Sequence, residues 1–226
     1  MINLNRFIEH TALKPTLTNR DIDTLVGEAI ENEFLGVCVP TFWVRKASRE
    51  VKNHGIQLVT VIGFPLGYQM TENKLDEIKL AIDNGANELD IVMNVSAFKS
   101  GMTWVKTELA KCSQLIHDND CLMKVIIETA YLSEEEIVTS SIICQDAGTD
   151  FVKTSTGFAT AGAKVEHIKL IRSTINSNVG VKASGGIRNL DTAIKMIEAG
   201  ADRLGVSAGV SIMEEMDSSI EKKAQL

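Results

Sequence analysis

Eight short apolar runs alternate along the chain with eight longer segments of helical period, and this rhythm limits the possible folds more than any other feature. The runs are FIEHTALKP, LGVCVP, QLVTVIGFP, ELDIVMN, LMKVIIET, FVKTSTG, GVKASGG and RLGVSAG. After the first, Thr18 or Asn19 is the expected N-cap of a helix with Ile22, Leu25, Val26, Ala29 and Ile30 on one face. The next helix runs through Trp43, Val44, Ala47 and Val51 and closes at Gly55. Others are expected at about 71–84, 103–117 and 165–175, and Ser133 with Glu136 has capping-box spacing. Gly85, Gly148 and Gly200 each stand between a helix and the next run, where a left-handed glycine ends the helix. Strict alternation with short connections implies parallel strands and right-handed crossovers. Eight units favour a closed (β/α)8 TIM barrel over an open sheet, which more often has five or six strands. The 226 residues fit one such barrel, so a single α/β domain over 1–226 is expected.

The sixth and seventh runs carry the chemistry. Each sets a lysine, Lys153 or Lys182, into an apolar strand just before small residues and glycine. Burial disfavours the charged amine and lowers a pKa that starts at about 10.4. A neutral amine attacks carbonyl carbon to form a Schiff base. If both strands share a sheet, one lysine serves as the amine and the other as a cation beside it. Barrel active sites lie at the carboxyl ends of the strands, where Glu9, Asp90 and Ser207 also interrupt the apolar pattern. For Glu9, a structural ion pair inside the barrel is an equal alternative. Lys124 and Glu128 alternate with apolar residues on the fifth run and are expected to pair with each other. Gly185-Gly186, with Gly205 and Ser207 on the neighbouring run and Gly157 close by, stand where barrels commonly bind phosphate.

A net charge of −7 argues against a nucleic-acid partner. No apolar run reaches the ~18 residues of a membrane span, and the start MINLNRFIEH lacks the features of a signal peptide. Cys38, Cys112, Cys121 and Cys144 lack metal or redox spacing and are expected as reduced core residues of a cytoplasmic protein. The four histidines are scattered, so no metal site is expected.

The chain resembles the 2-deoxyribose-5-phosphate aldolase family over nearly its whole length. The resemblance rests on IEHTALKP, VIGFPLG, ELDIVMN, KVIIET, FVKTSTGF, VKASGGIRN and RLGVSAG, which occur in family order. It implies a (β/α)8 barrel that cleaves a sugar phosphate without metal or cofactor, as a homodimer. It further implies that Lys153 is the Schiff-base lysine, Lys182 the lysine that perturbs it and Asp90 the aspartate of a proton relay. Thr156 then contacts the sugar, and Gly157, Gly185, Gly186, Gly205 and Ser207 hold its phosphate. Three positions depart from the family pattern. Glu9 stands where aspartate is usual, Pro40 comes one place early, and the ending EKKAQL has no tyrosine.

Overall fold

Side chains alternate across a strand, so each apolar run can present one face to a ring of helices and the other to a barrel interior. The computed structural model, which describes residues 3–224, has this arrangement. Its strands are β1 (Ile8–Thr11), β2 (Gly36–Val39), β3 (Gln57–Ile62), β4 (Glu88–Val92), β5 (Leu122–Ile126), β6 (Phe151–Lys153), β7 (Gly180–Ser184) and β8 (Arg203–Val206). They pair in parallel in sequence order, and β8 returns to β1 to close the barrel. The helices are α1 (Asn19–Glu31), α2 (Val44–Val51), α3 (Thr71–Asp83), α4 (Val95–Lys99), α5 (Trp104–His117), α6 (Glu134–Asp146), α7 (Val165–Thr174), α8 (Leu190–Glu198) and α9 (Gly209–Ala224).

Outward-facing Val37, Leu89, Val125, Val152, Val181 and Leu204 are fully buried against helix residues such as Ile22, Ile78, Leu109, Ile168 and Ile212. Each such side chain stabilises the fold by about 1.5–3 kcal/mol relative to exposure. Truncating one of them, Leu109→Ala for example, would cost about 2–5 kcal/mol through lost burial and the cavity left behind. The helix starts follow their sequence signals. Thr18 forms a capping box with Asp21 at α1, and Ser133 forms one with Glu136 at α6. Gly85, Gly148 and Gly200 end their helices at φ of 105°, 85° and 108°, the left-handed turn expected of them.

Most runs extend past their strands, and α2 ends at Val51 rather than at Gly55. The sixth run is strand only over Phe151–Lys153, because Thr154 turns its hydroxyl to bridge toward β7. Between β4 and α5 lies the unanticipated α4, started by Asn94, whose side chain accepts a 3.0 Å hydrogen bond from the Ala97 N–H. The reading of the EKKAQL ending falls on side chains outside those described.

Candidate active site

Strand register brings the predicted residues together. Lys153 lies directly opposite Lys182, Asp90 opposite Lys124, and Glu9 opposite Gly205. All of these side chains point inward, so the interior holds a cluster of charge beneath the carboxyl ends of the strands. Lys153 Nζ donates to Asp90 Oδ2 at 2.8 Å, and Lys182 Nζ donates to the same oxygen at 2.7 Å. Lys182 also donates to Glu9 Oε2. The aspartate's other oxygen lies 3.1 Å from Lys124 Nζ, which is also 2.5 Å from Glu88 Oε2. Arg203 spans Glu9 Oε1 at 3.1 Å and Glu88 Oε2 at 3.2 Å. Below them the Phe151 ring lies 4.9 Å from the Arg203 guanidinium and forms the barrel floor. Gly180 makes room for it, since a Cβ there would fall 2.3 Å from the ring.

Burial sets the protonation states, and ion pairing then divides the lysines into two kinds. For Lys153, burial and the neighbouring Lys182 charge outweigh Asp90 and bring its pKa below the ordinary lysine value. Burial also opposes the Lys182 ammonium, but Asp90 and Glu9 overcome it and raise that pKa. Lys124 behaves as Lys182 does, raised by Asp90, Glu9 and Glu88 against its burial. The Asp90 carboxyl, despite its burial, is held well below the usual range by Lys124, Lys153 and Lys182. For Glu9 the same contest between burial and the lysines ends in a lowered value. Burial pushes the Cys38 thiol up to about 11.

Above the cluster opens a cavity of about 560 Å³, lined among others by Lys153, Thr156, Gly157, Gly185, Gly186, Gly205 and Ser207. Asp90, Glu9 and Lys182 lie below its floor. Thr156 is held by Glu128: both its N–H (3.1 Å) and its hydroxyl donate to Glu128 Oε2. The same hydroxyl oxygen accepts from the Phe158 N–H at 3.0 Å. With its hydrogen committed to Glu128, the Thr156 hydroxyl can offer the cavity only a lone pair. Gly185 and Gly186 take φ of 83° and 80° in succession, a turn that side-chain-bearing residues rarely adopt. Two of the first N–H groups of α8 are occupied, Leu190 by Glu215 at 2.8 Å and Thr192 by Asn189 at 2.9 Å. Gly205 makes room for Lys182, because a Cβ there would sit 3.0 Å from Lys182 Cε. Its missing side chain is the space that Lys182 occupies.

A family model described as DeoC/LacD family aldolase matches residues 6–215. The chain belongs to the DeoC/LacD aldolase family. It is therefore an aldolase, a carbon–carbon lyase. A relative from Brevibacillus brevis, named deoxyribose-phosphate aldolase, is 50% identical over 213 residues, covering 94% of this chain and 96% of that one. Among solved structures, "QR15, an Aldolase" superposes with a TM-score of 0.92 at 46% identity, covering 96% of this chain and 97% of its own. A deoxyribose phosphate aldolase from Aeropyrum pernix, whose structure is titled as uniquely tetrameric, gives 0.89 at 33% identity over 95% of this chain and 91% of its own.

The structure of the aldolase corrects one pairing and adds residues to the site. Lys124 does not pair with Glu128. Its partners are Glu88, Asp90 and Glu9, because the chain leaves the strand after Ile126 and Glu128 turns at φ 55° toward Thr156. Glu88 and Arg203, passed over in the sequence, complete the cluster. Alternation could have found both, since each lies two residues before an inward-facing position, Asp90 and Gly205.

Proposed function

We propose that this aldolase cleaves 2-deoxy-D-ribose 5-phosphate, reversibly, to D-glyceraldehyde 3-phosphate and acetaldehyde through a Schiff base on Lys153. One observation carries the assignment of the nucleophile. Of the lysines in the buried cluster, Lys153 is the one that lines the cavity, and it is the one whose ammonium form is disfavoured. The names of the relatives support the substrate.

The neutral Lys153 amine attacks C1 of the open-chain sugar phosphate, and the carbinolamine loses water to give an iminium. The iminium draws electrons from the bond between the α and β carbons. Loss of the C3 hydroxyl proton then breaks C2–C3, releasing glyceraldehyde 3-phosphate and leaving an enamine. Protonation at C2 and hydrolysis free acetaldehyde and return the amine. Asp90, bonded to Lys153 and Lys182, moves these protons through a water, with Lys182 as the fixed cation that keeps Lys153 uncharged. The lone pair of Thr156 accepts a hydrogen bond from a sugar hydroxyl. The phosphate sits against the Gly185-Gly186 turn, Gly157, Gly205 and Ser207, at the start of α9 rather than at the partly occupied start of α8. Glu9 acts on substrate through Lys182. No metal or cofactor enters this scheme.

A single domain over 1–226 acts as a cytoplasmic homodimer, without nucleic-acid or membrane partners. The four buried free cysteines and the net charge of −7 support this placement. No described helix is long and apolar enough to cross a membrane. Phe42, Tyr68 and Met70, exposed by 81%, 63% and 70%, supply apolar surface for a second copy, and sedimentation tests the dimer.

The deciding experiment is borohydride reduction with acetaldehyde or the sugar phosphate, followed by peptide mass spectrometry. The expected adduct is on Lys153. An adduct on Lys182 alone would reverse the two roles, and no adduct would leave a barrel that binds sugar phosphate without Schiff-base chemistry.

A further inference from the structure

Seven charged side chains meet inside the barrel, and their numbers are unequal. Three are acids, Glu9, Glu88 and Asp90, and four are bases, Lys124, Lys153, Lys182 and Arg203. The remaining inward groups do not alter this balance. From β2 comes Cys38, whose buried thiol is protonated, and from β3 come apolar Val59 and Val61. Glu128, beyond β5, makes no ion pair with these bases, its Oε2 accepting from Thr156 instead, and β6 adds the Phe151 ring. If every group were ionised the cluster would carry a surplus of one positive charge in a water-poor interior, where an unmatched charge is costly. Loss of one proton would balance the cluster.

The contacts identify the group that gives it up. Arginine stays protonated in proteins. Lys124 faces three carboxylates, at 2.5 Å, 3.1 Å and 3.6 Å. Lys182 faces two, Glu9 and Asp90. Lys153 has Asp90 alone, and it shares that oxygen with Lys182. It is the least compensated amine of the cluster.

We propose that Lys124 is a positioning residue for the reaction: with Lys182 and Arg203 it is the third cation, and its presence keeps Lys153 in its uncharged, nucleophilic form. It acts through Asp90, drawing off the carboxylate charge that would otherwise hold a proton on Lys153. Lys182 alone does not suffice. With Lys124 absent, three acids face three bases, and the cluster is neutral only when Lys153 is charged. This inference rests on Lys153 being the nucleophile.

The experiment measures the rate of acetaldehyde trapping at Lys153 with cyanoborohydride between about pH 5 and pH 10, corrected for the reductant's own pH dependence. The expected result for Lys124→Met is a rise in the midpoint of the rate–pH curve by about one unit or more. Trapping at neutral pH falls about tenfold and recovers in alkali. Adding Glu88→Gln restores the surplus of one cation, so Lys124→Met/Glu88→Gln returns the midpoint toward the unaltered value. Glu88→Gln alone widens the surplus and moves the midpoint down, and this variant decides the matter if Lys124→Met fails to fold. A Lys124→Met curve lowered equally at every pH, with its midpoint unmoved, would overturn the inference and leave Lys124 a structural residue. Absence of any Lys153 adduct in the unaltered protein would instead overturn the assignment of the nucleophile, which is a different result.

Discussion

Replacing Lys153 with methionine should abolish Schiff-base formation and make the protein more stable. Met has nearly the same length, no charge and no unmet hydrogen bond. The substitution removes one 2.8 Å contact to Asp90, yet the carboxylate keeps Lys182 at 2.7 Å and Lys124 at 3.1 Å. What remains is three acids with three bases, so no charge is left unmatched. Exchanging a buried ionic group for a well-packed apolar one stabilises proteins by about 1–4 kcal/mol in favourable cases. The lost contact places this site near the low end, about 1–2 kcal/mol, or about 2–8 °C in Tm for a chain of this size. The sign of the pH dependence follows from the lowered pKa of Lys153. Below the folded-state value both states hold the proton, and the cost of burying the lysine is complete. Between that value and about 10.4 the unfolded chain holds the proton and the folded one does not, so the unaltered protein gains stability as pH rises. The advantage of Lys153→Met should therefore be greatest below the folded-state value and shrink toward pH 10. Urea unfolding of both proteins across that range, with m-values compared, measures it. A variant less stable than the parent at the acidic end of that range, or an advantage that grows in alkali, would refute the reasoning.

Thr156→Val should destabilise by about 1.5–3 kcal/mol, because the buried Glu128 carboxylate loses its hydroxyl donor. Thr156→Ser, which keeps the hydroxyl, should restore most of that in urea unfolding, and equal loss from both variants would show that the hydroxyl donor is not the source of the cost. Gly205→Ala, whose new methyl meets Lys182 Cε at 3.0 Å, should cost about 1–3 kcal/mol by overpacking and slow borohydride trapping by displacing Lys182. Unchanged trapping would show that Lys182 can yield. Outside the barrel, fully buried Lys74 and Glu108 pair at 2.7 Å. Glu108→Leu alone should cost about 3–5 kcal/mol, whereas Lys74→Met/Glu108→Leu should come close to the parent in thermal unfolding.

Much of this architecture was legible because both periodicities, two and 3.6, belong to the backbone and survive in any sequence that uses them. Lys153, Lys182 and Asp90 stood out by interrupting apolar runs at the ends where barrel chemistry occurs. Glu88 and Arg203 did not, since a charge at the start of a run reads as its boundary. Lys124 was visible, but its partner was not. Same-face spacing pointed to Glu128, and only the positive φ at that residue sends its carboxylate elsewhere. α4 spans five residues, too few for a helical period to register. Buried Lys74 was hidden for another reason. Its partner lies 34 residues away on a different helix, and no local pattern encodes that meeting.

The barrel floor has a consequence for how such chains can change. Phe151 and Gly180 stand opposite each other, and the ring fills the volume that Gly180 leaves empty. The two positions therefore trade size. A larger residue at 180 requires a smaller one at 151, and neither can vary freely. A smaller residue at 151 without that exchange would let water reach Arg203, Glu88 and Lys124 from beneath. Water there would screen the charges that set the amine above, so an aromatic ring with no chemistry of its own works as electrical insulation for the nucleophile.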